Sequence, residues 1–237
     1  ILRSKRMLLR NSTLMNDFSE VQHGLDCLSA AYRGPSGDKL KGLLKTVQTD
    51  LPEIFEANFE SGVLDLRGET YLISISEHGD ADEGDAFEDR LGRLSMWRAY
   101  AQKDGIAFVF RNRAFLTETN SLNAFSCPVV YASIEDYAAR FAALVDGIEA
   151  ELPLLQQYGG HWVHENLLLA FRFAAQSTKH PSFKEEREWR VIYSPTLLES
   201  QGQMDEAQKA KIPTEVMCLR GVPQRIYVIP FVNHPDE

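Results

Sequence analysis

From Ser133 to Gly159 the chain reads SIEDYAARFAALVDGIEAELPLLQQYG, with Ile134, Tyr137, Phe141, Leu144, Val145, Ile148, Leu152 and Leu155 recurring at helical spacing. Ser133 and Asp136 stand as a capping pair at its start, and Gly159-Gly160 end it. A second strongly apolar helix, HWVHENLLLAFRFAAQS, follows at once. An apolar stripe of this length has to be buried against other elements, so whatever else the chain builds must cover these helices.

The remaining patterns mix both periods. A strand is expected over Met7–Leu9, ended by a loop through Asn11, Ser12 and Asn16-Asp17. A helix is expected from Glu20 to Tyr32, a loop at RGPSGDK (33–39), and a helical stretch over 39–60 that Pro52 divides. TYLISISE (70–77) alternates as a strand and stops in the acidic loop HGDADEGDAFEDR. LSMWRAYA (94–101) reads as helix, GIAFVF (105–110) as a buried strand and CPVVY (127–131) as another. After the two long helices come the strand RVIY, a polar stretch over 199–211, and the strands EVMCL and RIYVIP. Strands and helices alternate without a regular βαβ repeat, and neither a glycine-rich phosphate loop nor GxxxxGK[ST] is present. The predicted class is α+β: one domain over 1–237, with a mixed or antiparallel sheet and helical insertions. The chain opens on Ile1 rather than Met, which predicts that its natural start lies upstream.

With 44% hydrophobic residues, the chain can build a sizeable core and is not disordered over most of its length. A net charge of −9 argues against wholesale electrostatic binding to nucleic acid, although not against a local basic groove. Cys27, Cys127 and Cys218 are scattered, outside any CxxC or zinc-ligand spacing, as fits a reducing cytoplasm. No apolar run approaches the ~18–20 residues of a membrane span. The expectation is a cytoplasmic protein without membrane attachment.

Three stretches concentrate residues capable of chemistry. In NSTLMNDFSE (11–20), Asn16 and Asp17 suit a helix cap, or Asn16 lines a ligand pocket. In the centre, Ser74, Ser76 and Glu77 end a strand, and Trp97 and Tyr100, three apart, share a helix face as core or as ligand platform. In SFKEEREWRVIY (182–193), an extended backbone would send Glu186 and Glu188 to one side and Arg187 to the other. Two carboxylates beside Trp189 suit acid/base work or stabilisation of a cation; they equally suit an ion-pair network with Lys184, Arg187 and Arg190. His78 with Asp80, Asp82 and Glu83 reads as a solvated loop rather than a metal cluster. His161, His164 and Glu165 do not form HExxH, and no serine sits in a GxSxG elbow, so no metal ligands are assigned.

Together, LLRNSTLMNDFSE, ISISE…LSMWRAYAQKDGIAFVF and KHPSFKEEREWRVIY resemble the bacterial domain-of-unknown-function family 2971. Its members show N-D-x-x-E after a first strand, S-x-S-E with M-W-x-x-Y in the centre, and F-x-x-E-x-E-[WY]-R late. The order of these motifs resembles, by fold-level analogy, the ADP-ribosyltransferase plan of bacterial toxins and phage-defence proteins. That resemblance implies NAD as substrate, Glu188 as the catalytic glutamate and Glu186 as the residue orienting the acceptor. It implies Ser74 or Ser76 as the middle-strand hydroxyl and Trp97 and Tyr100 as a pocket wall. Asn16 and Arg190, from their own places in the sequence, are added to the candidate nucleotide-binding residues. A macromolecular acceptor, protein or nucleic acid, and an antitoxin or defence-system partner follow from the same analogy. The first-strand His or Arg has no match, since Arg3, Arg6 and Arg10 fit no motif; the natural first strand is expected upstream of Ile1. The alternatives are a nucleotide-sensing or protein-binding module with a degenerate pocket, and a metal-dependent nuclease.

Overall fold

Alternation of apolar and polar side chains along Arg6–Asn11 buries Met7, Leu9 and Asn11 and leaves Arg6, Leu8 and Arg10 partly exposed, which makes this segment, β1, a strand. The computed structural model describes residues 6–14, 19–78, 88, 91–101, 105–110, 124–195, 213–219 and 221–230. Its other strands are β2 (Tyr71–Ser76), β3 (Phe125–Pro128), β4 (Val130–Tyr131), β5 (Thr178–Lys179), β6 (Glu188–Tyr193), β7 (Thr214–Leu219) and β8 (Val222–Pro230). Six of them form one sheet in the order β3-β6-β2-β1-β8-β7. Every pair in it is antiparallel. β4 and β5 form a separate two-residue parallel bridge. The fold is α+β with a largely antiparallel sheet, as the sequence predicts.

The helices are α1 (Ser19–Tyr32), α2 (Pro35–Val47), α3 (Leu51–Gly68), α4 (Ile134–Ala150), α5 (Leu152–Tyr158) and α6 (Gly160–Gln176). Their shared core centres on Phe171 of α6, whose ring lies 4.9 Å from Phe55, 5.7 Å from Tyr32, 5.8 Å from Phe59 and 6.0 Å from Phe141. Most of these contacts are edge-on, the arrangement favoured by aromatic quadrupoles. Leu28, Leu40, Leu44, Leu51 and Val145 complete this cluster. The sheet carries a second cluster of Met7, Leu9, Tyr71, Val191, Tyr193, Tyr227 and Ile229. The described residues thus form two apolar centres, one between helices and one on the sheet.

Several local expectations hold. Ser133 and Asp136 form a reciprocal capping box at the start of α4. Gly159, at φ 84°, closes α5 and turns the chain into α6. Others need correction. The stretch 33–39 is not a loop, because Gly34 caps and Pro35 begins α2; a proline at the first helical position loses no hydrogen bond. Pro52 sits at the second residue of α3, and the division expected there falls at 48–50. The expected strand 127–131 is two strands serving different sheets. Residues 105–110 are neither strand nor buried: Ile106 is 78% exposed and Val109 72%. Residues 199–211 and most of the acidic loop lie outside the described residues. No described helix is long and apolar enough to cross a membrane.

The helices α1 and α6 pack closely at Gly24. A Cβ at Gly24 would stand 1.9 Å from the carbonyl oxygen of Ala175, so only glycine allows this approach. Gly24→Ala is expected to destabilise the protein by about 1–3 kcal/mol through overpacking. Gly42→Ala, on an open face of α2, should instead stabilise by roughly 0.5–1 kcal/mol. Urea unfolding midpoints of the two variants, moving in opposite directions, check the pair.

Candidate functional site

The site begins with the way the chain enters β6. Pro181–Glu186 form a 3-10 helix, with His180 Nδ1 accepting the Ser182 N–H at 3.3 Å. Arg187 then takes the left-handed conformation at φ 41°, and Glu188 opens the strand. The extended path expected over 186–188 is therefore not the one taken. The two carboxylates still converge, for a reason the local pattern does not contain: both reach Lys179, on β5. Its ammonium donates to Glu186 Oε2 at 2.6 Å and to Glu188 Oε2 at 3.1 Å.

Around Glu188 the donors come from three elements. In the sheet register Ser74 faces Arg190 and Ser76 faces Glu188. This places Ser74, Ser76, Glu188 and Arg190 on one side of the β2–β6 pair. Ser74 Oγ donates to Glu188 Oε1 at 2.5 Å, and Arg190 Nε donates to the same oxygen at 2.7 Å. Arg190 Nη2 reaches Oε2 at 3.3 Å, and its Nη1 donates to the carbonyl of Gln176 at the end of α6. The Glu188 backbone N–H donates to Tyr131 Oη at 2.8 Å. Lys179, Glu188 and Arg190 are 2%, 5% and 0% exposed, so the whole group is withdrawn from water.

Burial by itself would raise the Glu188 carboxyl. The Arg190 charge and hydrogen bond, the Ser74 hydroxyl and the Lys179 charge outweigh it and hold Glu188 below the ordinary carboxylate range. It is an anion at neutral pH. Nearby Cys127, opposite Arg190 in the register, is pushed up to about 11 chiefly by burial, so its thiol is protonated and a poor nucleophile.

Glu186 has a second set of partners. Tyr100 Oη donates to its Oε1 at 3.0 Å, and Ser76 Oγ donates to its carbonyl at 2.6 Å. Arg93 spans the same corner: it donates to Ser76 Oγ at 3.1 Å, to the Glu185 carbonyl at 2.5 Å and to the Glu77 carbonyl at 3.2 Å, and it pairs with the Glu88 carboxylate. A cleft of about 410 Å³ opens beside this network, with Glu77, Val129, Tyr131, Lys184, Glu188 and Trp189 among its lining residues. The Trp189 indole donates to Glu77 Oε1 at 2.5 Å.

Six of the residues expected at the site, Ser74, Ser76, Tyr100, Glu186, Glu188 and Arg190, thus meet in one hydrogen-bonded network. Trp97 does not join them. Leu94–Met96 runs into a π-helical turn, Trp97–Ala101, whose wider pitch rotates positions i and i+3 apart. Trp97 Nε1 donates instead to the Leu91 carbonyl at 2.6 Å. Asn16 and Arg3 lie outside the described residues. Arg6 pairs with Glu215, and Arg10 donates to the Leu14 carbonyl at 2.7 Å and to Gln224 Oε1 at 3.3 Å. Lys179, Arg93 and Tyr131 are the members that sequence reasoning missed. Lys179 stands nine residues before Glu188, within the motif KHPSFKEEREWRVIY, but only its place on β5 gives it this role; Arg93 and Tyr131 come from more distant segments and are recruited by the fold.

Residues 96–191, which carry Tyr100, Lys179, Glu186, Glu188 and Arg190, match the model of the family described as "Protein of unknown function (DUF2971)". The resemblance to that family read from the motifs holds over this span. No curated protein and no solved structure matches the chain. Among the described residues, no group of three or more His, Cys, Asp or Glu side chains is placed to hold a metal ion.

Glu188→Gln leaves Lys179 and Arg190 short of a buried counter-charge and is expected to cost about 3–5 kcal/mol. Because the folded pKa of Glu188 is depressed, its contribution is complete above the ordinary carboxylate range and is lost as pH falls through the lowered value. Urea unfolding across acid pH should show that component in the parent protein and its absence in Glu188→Gln.

Proposed function

We propose that the protein transfers ADP-ribose from NAD to a macromolecular acceptor, with the cleft at the mouth of β6 as its active site. The observation that carries this reading is Glu188: an ionised carboxylate at the start of a strand, hydrogen-bonded to the Ser74 hydroxyl of the neighbouring strand and lining a cleft. The adjacency of β6 and β2, which carry the late-strand and middle-strand residues of the ADP-ribosyltransferase plan, supports it further. In that reaction the bond between nicotinamide nitrogen and ribose C1′ breaks, its electron pair leaving with nicotinamide. The ribose passes through an oxocarbenium-like cation, and the acceptor nucleophile then bonds C1′ and releases its proton. A fixed anion beside the ribose lowers the energy of that cation. Glu188 is assigned this role; Glu186, tethered to Lys179 and Tyr100, is assigned to orienting the acceptor. An effector acting as a toxin or in phage defence is the biological setting this chemistry suits.

One feature favours a second reading, a nucleotide-sensing or protein-binding module. Ser74, Lys179 and Arg190 together direct four hydrogen bonds at the Glu188 carboxylate, and two of these donors are cations. So full a set suits a structural anchor as well as a catalytic anion.

Incubation with NAD labelled in its ADP-ribose moiety, alone and with cell lysate, separates the two. Transfer of label by the parent protein, reduced about 100-fold or more in Ser74→Ala and Glu188→Gln, is expected for the transferase. Ser74→Ala accompanies Glu188→Gln because it leaves the buried charges balanced. NAD that binds in calorimetry without being consumed would establish the second reading. NAD that neither binds nor turns over would remove nucleotide recognition from both.

A further inference from the structure

The segment Gly105–Phe110, GIAFVF, combines β-branched and aromatic residues that suit a strand, yet it belongs to no helix or strand in the structure. Its apolar side chains face solvent: Ile106, Phe108, Val109 and Phe110 are 78%, 40%, 72% and 37% exposed. Four such residues within five positions form an apolar patch of the kind that marks a docking surface. The rings of Phe108 and Phe110 lie 6.4 Å apart, as positions i and i+2 do on one side of an extended backbone.

A receptor for that segment lies nearby in sequence. β3 is an outer strand of the sheet and pairs with β6 alone among the described residues. Among the described residues no strand covers its outer edge, and natural proteins seldom leave such an edge uncovered. We propose that in solution residues 105–110 add to the outer edge of β3 as an antiparallel strand, extending the sheet on the side of the candidate cleft.

The occupant is this chain's own segment, for two reasons. Only residues 111–124 separate it from β3, so closure costs little loop entropy and local concentration is high. Successive strands joined by such a connection also pair with one another as a rule. The opposite edge, β7, begins more than 100 residues away at Thr214 and is a poorer match on both grounds. Pro128 of β3 and the adjacent Val129 line the cleft, so an added strand would place apolar side chains at its border. Water is then excluded from the side on which Glu188 lies. This inference does not depend on which reaction or ligand the cleft serves.

Hydrogen–deuterium exchange of the whole chain, followed by mass spectrometry at two protein concentrations, tests it. Peptides covering 105–110 should exchange at least about 10-fold more slowly than the same sequence as a free peptide, equally at both concentrations. Val109→Pro removes a donor from the added strand at a residue that is exposed and outside the core. It should raise exchange in 105–110 and 125–128 together, while 214–219 stays unchanged. Exchange of 105–110 at the free-peptide rate would overturn the proposal. Protection that grows with concentration would also overturn it and assign the edge to a second copy. Protection of 105–110 without coupling to 125–128 would overturn it too, placing the segment elsewhere.

Discussion

The buried group formed by Lys179, Glu188 and Arg190 is where the helical layer and the sheet are tied together. Arg190 reaches from β6 to the Gln176 carbonyl, one of the last carbonyls of α6 that the helix itself leaves unpaired. Lys179 follows α6 directly and grips both glutamates of the β6 entrance. Gln176 adds a hydrogen bond to Thr70 Oγ1 at 2.7 Å, just before β2. The end of one helix therefore fixes the starts of two neighbouring strands. Desolvating three charges is expensive, and an apolar replacement of the whole group would serve stability at least as well. What the charges add is direction: a guanidinium and an ammonium with few acceptors in reach admit one arrangement of β6 against α6, and apolar side chains would admit several.

The same arithmetic constrains chemistry. Glu186 and Glu188 face Lys179 and Arg190, two anions against two cations, so the group is close to electroneutral. A glutamate held ionised in this way cannot serve as a general acid near neutral pH, because that role needs a raised pKa. Its anionic field is what it offers, focused by burial and fixed in direction by Ser74 and Arg190. The thiol of Cys127 and the phenol of Tyr131 are both raised, each chiefly by burial, so neither neighbour competes as a base.

How much of this was legible depended on range. The capping box at Ser133 and Asp136, the strand at Met7–Leu9 and the helix α6 are local, and each appeared where the pattern placed it. The single helix expected over 133–159 instead breaks at Glu151, where Pro153 sits in the first turn of α5, and Ile134 and Leu144 of its stripe face solvent. The fold-level analogy left Ser74 or Ser76 open as the hydroxyl partner of the late strand; it is Ser74 whose hydroxyl reaches the Glu188 carboxylate. The failures are tertiary or conformational. Lys179 looks like any lysine after a helix until the β4–β5 bridge carries it under β6. The π turn at Trp97–Ala101 separates Trp97 from Tyr100, which an α-helical reading keeps together. Pro35 was taken for a loop residue because proline stops helices, but it also starts them.

Glu186 and Glu188 show best why local pattern and fold have to be read together. A period-two argument put both carboxylates on one side of an extended chain. In the fold, a 3-10 turn and a left-handed Arg187 intervene, and that argument loses its basis. The carboxylates meet nonetheless, because a buried ammonium has three donor directions to satisfy and Lys179 finds two of its acceptors in them. With its cation removed, Glu186 would have only the Tyr100 hydroxyl among the side-chain partners described above, and the turn that aims it would lose its anchor. The site is thus organised by a charge on β5, just outside the strand pattern that first drew attention to it. The arrangement of the cleft therefore depends on Lys179 as much as on the glutamates that face it.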